Sequence, residues 1–128
     1  MPRVFLGTLM VAAVGLAACN SGAAQPAVPE ETGAQMYATN GCGTCHGQSG
    51  KGDGPIAKTL HPPPRDFRDA AAFKNGRDVA SIAQTIATGL TRDGGQMQSY
   101  KFLSQHDRER LAEFVISLRD RQEARSQE

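Results

Sequence analysis

The sequence predicts a small all-α domain of three to five short helices. Apolar residues recur at helical spacing in two segments, no strand-length stretch alternates apolar and polar residues, and the segments between are crowded with Gly and Pro. Aromatic residues make up 5% of the chain and Trp is absent, so the side chains alone offer a thin core for 128 residues. A bound cofactor would help to fill it.

The first element is marked by Thr32-Gly33-Ala34-Gln35, a capping-box pattern, with Met36 and Tyr37 as the apolar contacts of the short helix it opens. Asn40-Gly41 ends that helix. Gly47, Gly50, Gly52, Gly54, Pro55, Pro62, Pro63 and Pro64 then impose a loop, with room for one helical turn at residues 56–60. Val79, Ile82, Ala83 and Ile86 fall at i, i+3, i+4 and i+7, which gives a one-sided helix over about 78–88 that Gly89 stops. Residues 90–100 form a second loop. Ser104-Gln105-His106-Asp107 is an N-cap arrangement, and Leu111, Phe114, Val115 and Leu118 make the apolar face of a last helix, which ends in a charged tail expected to fray.

Ahead of this domain, residues 1–18 read as an export signal. Met1-Pro2-Arg3 carries the positive charge, and residues 4–18 are an uncharged apolar run, too short for a bilayer, which needs about 20 apolar residues. Leu16-Ala17-Ala18-Cys19 resembles the lipobox of bacterial lipoproteins, where the Cys sulfur is acylated and the signal is cut before it. The alternative is a cut at an Ala-x-Ala-like site beside a spare Cys, which would leave an unpaired thiol in an exported protein. On the lipobox reading Cys19 is the lipidated first residue, and the protein is held at the periplasmic face of a bacterial membrane. By the same resemblance, Asn20 after the Cys favours the outer membrane. Residues 19–30 are small, polar and Pro-containing, a tether. The folded domain is expected at 31–128.

Formal charge is +1, from 14 Lys and Arg against 13 Asp and Glu, with no basic block, so an electrostatic grip on nucleic acid is not indicated. Loss of Arg3 with the signal would leave 13 of each sign.

The chemistry-bearing motif is Cys42-Gly43-Thr44-Cys45-His46. Cys-x-x-Cys-His is the attachment pattern of c-type haem. Two thiols three residues apart can add across the two vinyl groups, and the adjacent imidazole is carried under the ring to ligate iron. Two other chemistries share the spacing. A dithiol redox motif lacks its usual βαβ surroundings here, and a zinc site lacks a second pair of ligands, because Cys19 lies in or beside the signal. Export also suits haem attachment, which takes place outside the bacterial cytoplasm.

In these residues the chain resembles the class I monohaem cytochromes c over about 31–118. A helix with Gly33 and Tyr37 precedes Cys42, Cys45, His46 and Gly47. Gly52-Asp53-Gly54-Pro55 follows, then Leu60 and Pro62-Pro63-Pro64-Arg65-Asp66-Phe67, a helix, a Met-bearing loop and an amphipathic terminal helix. The resemblance implies the small cytochrome c fold, built around one haem c held covalently through Cys42 and Cys45. It also implies that the first and last helices cross, with Gly33 and Tyr37 against Phe114, Val115 or Leu118.

It further implies a thioether as sixth iron ligand, from a loop before the last helix. Met1 and Met10 leave with the signal, and Met36 lies on the helix just upstream of the motif, which leaves Met97 as the candidate metal ligand with His46. The bland alternative for Met97 is a flexible side chain filling a core gap. The family often shows Gly-Met-Pro in this loop, whereas here Gly95-Gln96-Met97-Gln98-Ser99-Tyr100 has no Pro. Tyr100 matches an aromatic position that family members place near the haem. His61 and His106 are rival ligands in principle, but their positions favour solvated side chains. By resemblance a Pro carbonyl, that of Pro64 with Pro62 and Pro63 as alternatives, accepts the other ring proton of His46, orienting the imidazole. Lys51 and Asp53 read as loop charges with no catalytic role.

Ligation by His46 and Met97 leaves iron no open position, so the expectation is a periplasmic electron-transfer protein rather than an enzyme. Softer Met ligation raises the potential relative to bis-His ligation. A respiratory oxidase, reductase or dehydrogenase is the expected redox partner, and the lipid-bearing Cys19 the contact with membrane. Lys51, Lys58, Lys74 and Lys101 are scattered and define no steering patch. Two other classes stand beside this one: a haem enzyme or gas sensor in which Met97 is off the iron, and a thiol oxidoreductase using Cys42 and Cys45.

Overall fold

The structure, a computed structural model, describes residues 31–91, 96–125 and 127. The signal at 1–18, the tether at 19–30 with Cys19, and Gly95 in the Met97 loop lie outside the described residues. The described residues form four α-helices and no strand: α1 (Gly33–Thr39), α2 (Cys42–His46), α3 (Val79–Thr88) and α4 (Gln105–Arg125). Short 3-10 turns occupy Ala57–Thr59 and Ala70–Ala72. The all-α fold expected from the periodicity is the fold found.

Local signals start and stop these helices. At α1 the capping box is complete: the Gln35 N–H donates to Thr32 Oγ1 at 3.2 Å, and the Thr32 N–H donates to Gln35 Oε1 at 2.7 Å. Asp78 caps α3 by accepting the Ser81 N–H at 2.9 Å, and Ser104 caps α4 by accepting the Asp107 N–H at 3.0 Å. Gly89, at φ 71°, ends α3. α4 continues through the charged stretch expected to fray, as far as Arg125.

The core lies where α1 and α3 pack on α4. Leu111 and Ala112 sit at its centre, 1% and 0% exposed, with Met36, Tyr37, Ile82, Ala83, Ile86, Val115 and Leu118 around them. α1 crosses α4 at Gly33, where an added Cβ would come 2.9 Å from Phe114 Cβ and closer still to the Arg110 carbonyl. Only a residue without a side chain lets the two backbones approach that far. Among the described residues, no helix is long and apolar enough to cross a membrane.

Candidate haem site

α2 carries the motif, and five residues are too few for a helix to hold itself. The loop after it does the holding. The N–H groups of Ile56, Gly54 and Gly52 donate in turn to the carbonyls of Thr44, Cys45 and His46, at 3.3, 3.1 and 2.9 Å. These bonds satisfy carbonyls that a helix end leaves without partners. The spacing of Cys42 and Cys45 places both thiols on one side of α2. Both are free and half-buried. Burial, helped by the neighbouring Cys45, pushes the Cys42 thiol up.

Two tyrosines close on the motif. Tyr37 donates its hydroxyl to the Gly47 carbonyl at 2.8 Å, and burial, with the nearby Cys42, Asp53 and Cys45, raises its pKa well above the ordinary tyrosine value. Tyr100 is buried in the core, and burial raises its pKa too, against the Gln98 amide and with Cys42 and Cys45 close by. Tyr100 therefore lies within electrostatic reach of Cys42 and Cys45.

His46 stacks on Phe67, with ring centroids 4.9 Å apart and planes at 29°. Phe67 is held by its own N–H, which donates to the Gly50 carbonyl at 2.8 Å. Burial lowers the His46 pKa and the backbone of Arg65 opposes that shift, but Nδ1 is buried with no hydrogen-bond partner. The carbonyl expected from Pro64 is thus not bonded to His46. It lies over Gly52, so close that a Cβ there would collide with it.

Met97 is half-buried and packs, like Cys42, against the core cluster. Its backbone pairs with Leu90: the Leu90 N–H donates to the Met97 carbonyl and the Met97 N–H to the Leu90 carbonyl, each at 2.9 Å. Met36 is 2% exposed among the core side chains of α1 and α4. His61 and His106 are exposed. Among the described residues, no group of three or more His, Cys, Asp and Glu side chains is placed to hold a metal ion. Phe67 entered the sequence reading only as part of a motif. Its stacking on His46 has a signal in the aromatic that follows the Pro run, but register alone does not aim it at the imidazole.

These residues suit a covalently held haem. The two thiols share one side of a short helix, and desolvation of His46 favours the neutral imidazole, the form that ligates metal. A small helical domain presenting Cys-x-x-Cys-His in this way defines a c-type cytochrome. The family model of cytochrome c matches residues 30–119, and the chain belongs to that family, whose work is haem-based electron transfer. Neither a curated protein nor a solved structure matches the chain.

Proposed function

We propose that this cytochrome is a one-electron carrier on the periplasmic face of a bacterial membrane, anchored by lipid on Cys19 and not an enzyme. Cys42 and Cys45 would hold one haem c through thioethers, and His46 and Met97 would ligate its iron. The observation that carries the ligand assignment is the placement of Met97. It is half-buried on a segment pinned by its backbone to the end of α3, whereas Met36 is consumed by the core and both other histidines are exposed.

When bound, the haem iron exchanges one electron between ferric and ferrous states. Within the protein, His46 would supply a nitrogen donor, and Phe67 stacks on its ring. Met97 supplies a soft sulfur donor. With both residues on the iron, no site would be left for oxygen or substrate, and little of the protein would have to move when the charge changes. Its redox partner is a respiratory or dehydrogenase protein, and nucleic acid is not a partner.

The test is the visible spectrum of purified ferrous protein with and without CO. A six-coordinate haem spectrum unchanged by CO supports the carrier. A CO-shifted band would instead indicate a haem enzyme or gas sensor, and a protein without haem bands would indicate thiol chemistry at Cys42 and Cys45.

A further inference from the structure

No Pro follows Met97, yet the segment that bears it is tied down at several points. Beyond the Leu90 pairing, Ser99 donates its hydroxyl to the Ala87 carbonyl at 2.7 Å, and the Tyr100 N–H donates to the Ile86 carbonyl at 3.0 Å. Both carbonyls belong to the last turn of α3, where no intrahelical partner remains for them. Gln98 donates its side-chain amide to the Tyr100 hydroxyl at 2.9 Å, and that hydroxyl donates to the Asn40 carbonyl at 3.3 Å. Asn40 is the C-cap of α1, two residues before Cys42. Met97 and the three residues after it are thus fixed both to the end of α3 and, through Gln98 and Tyr100, to the backbone that leads into α2.

We infer that Gln98 and Ser99 are positioning residues for the sixth ligand, replacing the missing Pro with side-chain hydrogen bonds that hold Met97 against the haem attached at Cys42 and Cys45. This rests on Met97 being the ligand. An external ligand must displace the sulfur, and the sulfur competes as a tethered group whose effective concentration depends on how narrowly its segment is held. Loss of one hydrogen bond from the segment therefore weakens the competition by about fivefold. Both side chains are exposed, so their removal leaves the core intact.

Imidazole is the probe, titrated spectrophotometrically into the ferric, haem-loaded protein. Ser99→Ala and Gln98→Ala are each expected to bind it about fivefold more tightly than wild type. Ser99→Thr, which keeps the hydroxyl, is expected to return to the wild-type value, and the unfolding midpoint of each Ala variant, recorded alongside, is expected to fall by no more than the loss of one hydrogen bond allows, about 1 kcal/mol. Met97→Ala is the reference and is expected to bind most tightly. If Met97→Ala gains affinity while Ser99→Ala and Gln98→Ala match wild type, the ligand assignment stands and the positioning role is overturned. If Met97→Ala itself matches wild type, the ligand assignment fails and the positioning role falls with it.

Discussion

The ring of Tyr37 meets the ring of Phe114 edge-on, with centroids 5.2 Å apart and planes at 62°. This pair joins α1 to α4, and the same Tyr37 reaches on through its hydroxyl to Gly47 at the end of α2. The helix crossing and the haem motif are therefore mechanically one unit.

Gly33→Ala forces a methyl group against Phe114 and the Arg110 carbonyl at that crossing. Overpacking of this kind costs about 1–3 kcal/mol. Denaturant unfolding should show the loss as a lower midpoint, with α1 the element displaced. A midpoint equal to wild type would mean that the helices do not approach this closely.

Asp78 carries a pH-dependent share of the stability. The Ser81 hydroxyl and N–H both donate to its carboxylate and hold its pKa below the ordinary carboxylate value. A depressed folded-state pKa stabilises the protein above the unfolded value of about 4, and that contribution is lost as pH falls through the folded value. Asp78→Ala should therefore melt below wild type at pH 7, and the gap should narrow on titration below about pH 4. A gap that stays constant with pH would show that the carboxylate charge plays no part in the cap.

Covalent attachment is tested by denaturing electrophoresis. Wild type should keep haem peroxidase staining, and the double variant Cys42→Ala with Cys45→Ala should lose it. Extraction of the wild-type haem into acid acetone would contradict thioether attachment.

Anchoring is tested at Cys19. Three acyl chains exceed the two signals needed for stable attachment, since each buried methylene contributes about 0.8 kcal/mol. Wild type should incorporate labelled fatty acid and fractionate with membranes, and Cys19→Ala should do neither. Wild-type protein recovered unlabelled and free of membrane would refute the lipobox reading.

The features legible in the sequence are those whose partners are near neighbours. Thr32 and Gln35, Asp78, Gly89 and Ser104 mark helix ends because each bond closes within a few residues, and Ile82, Ile86, Leu111 and Leu118 reveal their faces by spacing alone. α2 has no such signal. Its five residues are held by Gly52, Gly54 and Ile56, and only the fold shows those bonds. The same limit applies to the Pro64 carbonyl, which only the fold places over Gly52. The Leu90 to Met97 pairing is likewise a product of chain reversal, invisible to local pattern.

The measurement that bears most directly on the carrier reading is a redox titration of wild type beside Met97→His. A soft sulfur ligand favours ferrous iron, and a second imidazole favours ferric iron. The midpoint potential of Met97→His should therefore lie more than about 100 mV below that of wild type, with haem still covalently bound. An unchanged potential would show that Met97 does not ligate the iron, and the account of this protein as a His46/Met97 electron carrier would be wrong.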